Sequence, residues 1–325
     1  MRVRPLRKIV SLALVIGSLA APTVQAATVD YPTRPIRYVV AFAPGAINDI
    51  VARAVGQKLV DAWGQPVIVD NRPGAGGNVG AETVARSAPD GHTILSISSA
   101  HTIAQTLYPK LNYSLEKDLA PVALLASSPL IMVINPGMPV KSLRDFVGWA
   151  KANPMSFASG GVGTISHLAP EMFKQAAGVN GTHIPYKGGG LGALDVVAGS
   201  VTMMSNTLPT LMPFVKGGRL RAIGIMADKR HSLLPDVATF PEQGHKDFVM
   251  GNWMGIVAPI ATPKPVIDKL ASEVTRIVRS QEVRDRFLQE GADPIGGTPA
   301  EFGVMIRMEV ERFGKAVKAS GARVD

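Results

Sequence analysis

Two stretches of small and hydroxylated residues carry the side chains most able to meet a ligand. They are Pro44-Gly45-Ala46-Ile47-Asn48-Asp49 and Gly161-Val162-Gly163-Thr164-Ile165-Ser166-His167. Before the first, Arg37–Phe42 reads RYVVAF, an apolar β-branched run that suits a buried strand. After it, Ile50, Val51, Ala54, Val55 and Leu59 recur at helical spacing. A strand that turns directly into a helix leaves the first helical N–H groups unpaired and aims the positive end of the helix dipole outward. An anion is the natural occupant of such a place, and a carboxylate or phosphate suits it. Gly45 is free to take the positive φ that the turn needs, and Asn48 or Asp49 is expected to cap the helix. The plain alternative is a βα turn whose caps satisfy themselves.

The second stretch mirrors the first. Small residues and hydroxyls follow the short strand Ser156–Ser159 and open a helix that runs to Ala177. If both loops face one ligand, two helix N-termini meet it from opposite sides, and a dicarboxylate, or a carboxylate with a polar tail, satisfies both. His167, at this helix start, could donate to a ligand carboxylate, although histidines so placed more often simply pack. Asp49 is conceivable as a general base, yet spacing identifies no partner for it, and a capping or ligand-orienting role suits it better.

Other chemistries lack their residues. There are no cysteines, which excludes thiol catalysis, cysteine–zinc sites and disulfides. The six histidines, at 92, 101, 167, 183, 231 and 245, show no metal-ligand spacing. Neither a Walker loop nor a G-x-S-x-G elbow is present. Gly74–Gly80, GAGGNVG, places its third glycine one position too late for a dinucleotide fingerprint, and Asp90 stands in a loop-like APDG. The plain reading of that run is a turn that packs one helix close to the sheet. No catalytic residue, metal or cofactor is expected.

The formal charge of +9 over 325 residues is partly a property of the leader. Arg2, Arg4, Arg7 and Lys8 precede an apolar stretch from Ile9 to Ala20, and Val24-Gln25-Ala26 offers small residues for cleavage. This is the layout of a secretory signal peptide, too short in its apolar part for a comfortable membrane span. Cleavage after Ala26 removes four of the 34 basic residues and none of the 25 acidic ones, leaving a mild +5. The expected mature protein is soluble, monomeric and periplasmic. Its basic residues share helices with acidic ones and form no stripe interleaved with aromatics, so nucleic-acid binding is not expected.

The elements that must hold the loops alternate strand and helix, which implies a mainly parallel sheet with ligands at the carboxyl ends of its strands. Pro66–Asp70 and Thr93–Ser98 read as strands beside Arg37–Phe42, so Gly45–Asp49, Gly74–Asn78 and Ser98–Thr102 converge on one edge. A second set follows, with strands at Ser156–Ser159, Thr182–Pro185, Val201–Ser205 and Leu220–Met226. Pro121–Ile134 and Phe248–Ala258 read as long crossovers between the sets, and the last part reads as helical, with a capping box at Thr298–Glu301. The organisation expected is α/β and two-lobed. A signal peptide (1–26) precedes lobe 1 (27–125 plus 254–325) and lobe 2 (126–253), which are joined by two crossover strands with a ligand cleft between.

These residues also carry a family likeness. YPTRPIRYVVAFAPGAINDIVAR (Tyr31–Arg53), GQPVIVDNRPGAGGNVGAE (Gly64–Glu82), APDGHTIL (Ala88–Leu95), SGGVGTISHLAPEMFK (Ser159–Lys174), HIPYKGGG (His183–Gly190) and LLPDVATFPEQG (Leu233–Gly244) run in order over nearly the whole mature chain. In them the sequence resembles the Bug (TctC-like) periplasmic solute receptors of tripartite tricarboxylate transporters. The resemblance implies the type II periplasmic binding protein fold, closing on an organic anion, usually a carboxylate, held by backbone amides, hydroxyls and bridging waters. It also implies delivery to the membrane permease subunits of such a transporter. Carried over by position, the first-lobe contacts are Phe42, Gly45, Ala46, Asn48, Asp49, Ser98 and Ser99. The second lobe contributes Gly163, Thr164, Ser166, His167 and Asn206.

Three positions depart from the family's pattern. Relatives usually have two glycines where this chain has Gly45-Ala46, an asparagine where it has Ala104, and Phe-Asp-Asn where it has Ser205-Asn206-Thr207. If the relatives' aspartate orients an amino or hydroxyl group, Asn206 removes a charge from the cleft. Two other outputs fit the same residues: a liganded receptor that signals to a membrane sensor kinase, or an exported α/β enzyme that uses Asp49 or His167 on a carboxylate.

Overall fold

The computed structural model describes residues 30–324, so the expected signal peptide lies outside the described residues. The first βα units are β1 (Ile36–Val40), α1 (Ile47–Trp63), β2 (Val67–Asn71), α2 (Asn78–Ala85), β3 (Thr93–Ser98) and α3 (Ser99–Leu107). β1 lies between β2 and β3 and is parallel to both, as right-handed helical crossovers require. A short helix, α4 (Leu115–Asp118), then leads into β4 (Leu119–Ile134), at 16 residues the longest strand.

β4 belongs to two sheets. Its first part, Leu119–Pro129, pairs with the return strand β9 (Gly251–Pro259), and its end, Leu130–Ile134, pairs with strands of the second set. That set comprises α5 (Leu143–Ala152), β5 (Ser156–Ser159), α6 (Ile165–Ala177), β6 (Thr182–Pro185), α7 (Gly189–Ala198), β7 (Met203–Thr207), α8 (Leu208–Lys216) and β8 (Arg221–Ile225). After β9 come α9 (Lys264–Arg279), α10 (Gln281–Gln289), β10 (Asp293–Gly297) and α11 (Pro299–Ser320). The strand order is β2-β1-β3-β9-β4-β7-β5-β6, with β10 and β8 also paired to β4. The chain therefore changes sheets at Pro129–Leu130 going out and at Met250–Gly251 coming back.

Strand alternation explains why the crossover reads as unbroken hydrophobicity. Leu130, Met132 and Ile134 enter the core under α5 and α6, while Ile131 and Val133 enter the core under α7 and α8. Both faces are covered, so no polar side is needed. α1, α9 and α10 cover one face of the first sheet, and α2 with the start of α11 covers the other. α11 opens on the expected capping box, Thr298 with Glu301. Its distal residues Phe313, Ala316 and Val317 join the second set's core, together with Ile103 and Leu107 of α3.

Two expectations change. The last part is not all helical, because Asp293–Gly297 forms β10, antiparallel to β4 with a register shift. Two glycines and a proline gave that stretch no alternating pattern, and the pairing comes from its neighbour. β7 extends to Thr207, so Asn206 lies within the strand end instead of in a loop after it. Among the described residues no helix is long and apolar enough to cross a membrane.

Candidate ligand-binding site

Five helices begin at one cavity of about 670 Å³, a size within the usual range for small-molecule sites. Ala46, Ser98, Thr164, Gly188 and Thr207, the N-cap residues of α1, α3, α6, α7 and α8, all line it. Ala46, Thr164, Gly188 and Thr207 accept no first-turn N–H with their side chains, so no side-chain cap closes these helix starts to a ligand. Among the described residues the lining contains one charged side chain, Lys187, and no carboxylate. Helix dipoles and a lone ammonium give the cavity a positive potential that neutral ligands do not exploit.

On the first-lobe side, Asp49 locks the loop from behind. Its Oδ2 accepts the Gly45 N–H (2.9 Å) and Arg53 Nε (3.0 Å), and its Oδ1 accepts Asn71 Nδ2 (3.0 Å). Burial opposes the charge, but the bonds from Arg53, Gly45 and Asn71 outweigh it and hold the carboxyl below its ordinary range. The expected cap is therefore corrected. Ala46 is the N-cap, and the Asp49 carboxylate accepts the Gly45 N–H on the preceding turn instead of a first-turn N–H of its helix.

Asn48 faces the cavity and ends a relay. Ser99 Oγ donates to Asn252 Oδ1 (2.7 Å), Asn252 Nδ2 donates to Asn48 Oδ1 (3.5 Å), and Asn48 Nδ2 has no partner. A buried donor without an acceptor is costly unless something fills the cavity. His101 returns a bond to the Ser98 N–H (3.1 Å) and packs edge-on to Phe42, with ring centroids 5.8 Å apart. Burial pushes its pKa down to about 4, so it stays neutral.

On the second-lobe side, Ser166 Oγ accepts the Gly160 N–H (2.9 Å) and lies 2.9 Å from Thr164 Oγ1. His167 turns away from the cavity. Its ring stacks on His183 at 3.9 Å, and its Nδ1 accepts the Gly163 N–H (3.4 Å). Asn206 Oδ1 accepts the Thr207 N–H (2.7 Å), and its Nδ2 lies against Gly189 at the start of α7. The lobes already touch beside the cavity, where a Cβ on Gly163 would come within 2.9 Å of Leu107.

Of the residues expected from sequence, Phe42, Ala46, Asn48, Ser98, Ser99, Thr164, Ser166 and Asn206 line the cavity. Gly45, Asp49, Gly163 and His167 do not. Asp49 and His167 are engaged behind the two loops, while Gly45 and Gly163 take positive φ (79° and 81°) to form the turns. Ala104 is buried in α3 away from the lining. The lining residues not anticipated include Lys187, Asn252, Tyr108 and Thr210. HIPYKGGG carried a signal for Lys187, since it has the same strand-to-helix form as the other loops. Nothing local marked Asn252, which reaches the cavity from the return strand.

The chain matches the family profile of the tripartite tricarboxylate transporter family receptor over residues 51–322. It is 34% identical to Protein BugT of Bordetella pertussis over the full length of both chains. MatC of Rhodopseudomonas palustris, solved with bound malate, is 32% identical with a TM-score of 0.80, over 88% of this chain and 100% of that one. An R. palustris protein solved with adipate is 29% identical with a TM-score of 0.86, over 91% and 100%.

Proposed function

The chain belongs to the tripartite tricarboxylate transporter family of receptors, and on that premise we propose that it captures a small organic carboxylate in this cavity. The receptors of the family are periplasmic binding proteins, and we place this chain in the same compartment, as a monomer that hands its ligand to the permease subunits of such a transporter. The observation that carries the reading is the convergence of five helix N-termini on a cavity lined by one cation and no carboxylate. Malate and adipate in the two similar structures are anions of the matching class. On this reading Ala46, Asn48, Ser98 and Ser99 hold one end of the ligand, and Thr164, Ser166 and Asn206 meet it from the other lobe. Asp49, His167, Gly45 and Gly163 keep the loops in shape. The protein acts as a receptor and returns its ligand unchanged.

Thermal denaturation with a panel of two- to six-carbon carboxylates and their amides tests this. A ligand at a hundred times its Kd stabilises the folded state by about 2.7 kcal/mol, so a clear rise in Tm with at least one carboxylate, and none with its amide, is expected. No rise with any carboxylate would sink the reading. Loss of uptake of that anion on deleting the gene tests delivery, and recovery of intact anion from the purified complex tests the absence of turnover.

A further inference from the structure

Lys187 stands apart from every other group around the cavity. It lies on the loop from β6 to α7, two residues before that helix begins, and forms no hydrogen bond or ion pair among the described residues. The other second-lobe polar side chains in the lining are neutral: the hydroxyls of Thr164, Ser166, Thr207 and Thr210, and the Asn206 amide. On the first lobe, the start of α1, the start of α3 and the unpartnered Asn48 Nδ2 are enough to hold one carboxylate.

We propose that Lys187 is the specificity-determining residue of the cleft, pairing with a second carboxylate at the far end of the ligand. The inference rests on the carboxylate-receptor reading and adds to it the reason one carboxylate is not enough. A dianion held at its near end by the first lobe presents its far end to the second lobe, where Lys187 supplies the only full positive charge among the described lining residues. A monoanion of the same length leaves that exposed ammonium in water, so it neither gains the pairing nor loses by its absence. The selectivity is thus a difference between a paired and an unpaired cation.

Calorimetric titration of the mature protein with matched pairs tests the assignment. The probes are adipate against hexanoate and malate against 2-hydroxybutyrate, each pair exchanging one carboxylate for a methyl group, at low and high salt. Lys187 is exposed and unpaired, so Lys187→Met and Lys187→Arg are expected to fold normally, which the unliganded Tm verifies. The wild type should bind at least one dianion tenfold or more tightly than its partner monoanion. Lys187→Met should lose about tenfold or more for the dianion, change less than twofold for the monoanion, and show a weaker salt dependence. Lys187→Arg should keep the preference. Equal losses for both members of a pair, or an unchanged dianion affinity, would overturn the assignment. A wild type that binds none of the four anions, nor any other carboxylate, would instead overturn the receptor reading on which it rests.

Discussion

Asp49 gives both its oxygens to the chain, although sequence placed it among the ligand contacts. Three donors bond to it, so Asp49→Ala removes the acceptor of the Gly45 N–H and leaves Asn71, which also donates to the Phe42 carbonyl, and Arg53, which also donates to Asn71, one bond short. We expect a loss of about 2–4 kcal/mol in urea unfolding, from the usual cost of charged hydrogen bonds, with weaker carboxylate binding as the loop relaxes. Asp49→Asn should fall between, because Arg53 is half exposed and its charge contributes little. Two histidines, the buried His101 and the partly buried His183, act in another pH window. Burial, then the neighbouring His167 and Lys174, lower His183 to about 4, and burial alone lowers His101 to about 4, from an ordinary 6.5. Below pH 6.5 the unfolded chain takes up protons that the folded chain refuses. Stability is therefore full above that pH and declines as pH falls toward 4, by up to about 1.4 kcal/mol per unit for each fully shifted group. Urea midpoints between pH 7.5 and 4.5 should show this fall, and His183→Gln should flatten it.

At the scale of elements, the glycine-rich turn before α2 controls how closely that helix approaches β1. A Cβ on Gly80 would stand 2.9 Å from the Ala41 side chain, so the reading of GAGGNVG as a close-packing turn agrees with the geometry. Gly77 has φ 102°, and a Cβ there would meet His101 at 3.0 Å and Phe42 at 3.3 Å. Gly77→Ala should therefore destabilise by about 1–3 kcal/mol through backbone strain and overpacking. Because Phe42 lines the cavity, affinity should fall as well; unfolding midpoints and titration on the same variant test both. The alternation of strands and helices was legible because each pattern is complete within about ten residues. β10 was not, since two glycines and a proline carry no alternation and only the edge of β4 makes the segment a strand.

Over the whole molecule, two crossings and two straddling helices govern how the lobes can move. Gly251 lies against the Ser128 carbonyl, where a Cβ would be 2.8 Å away, so the outgoing and returning chains cross in close contact. α3 and α11 pack against the second lobe's core as well as the first lobe's sheet, which restrains any opening. We expect a saturating ligand to lower the radius of gyration in solution slightly, through a small closing rotation. Gly251→Val, which pushes the crossing apart, should diminish that change and weaken binding; small-angle scattering with and without ligand reads the first and calorimetric titration the second.

What the sequence determined by itself was local. Strand, turn and helix start at Ala41–Asp49 and at Ser159–His167 are set by short-range sterics, capping and periodicity, and eight of the twelve expected residues do line the cavity. Tertiary structure alone decided which way each polar group faces. Asp49 and His167 sit one residue from lining neighbours yet point behind the loops, because Asn71 and His183 on adjacent strands hold them there. Asn252 meets Asn48 across 204 residues of chain, and Lys187 joins the cleft only because the second sheet carries its loop to the same edge as the others. Such meetings depend on how β4 and β9 thread the two sheets, and no run of neighbouring residues encodes that path.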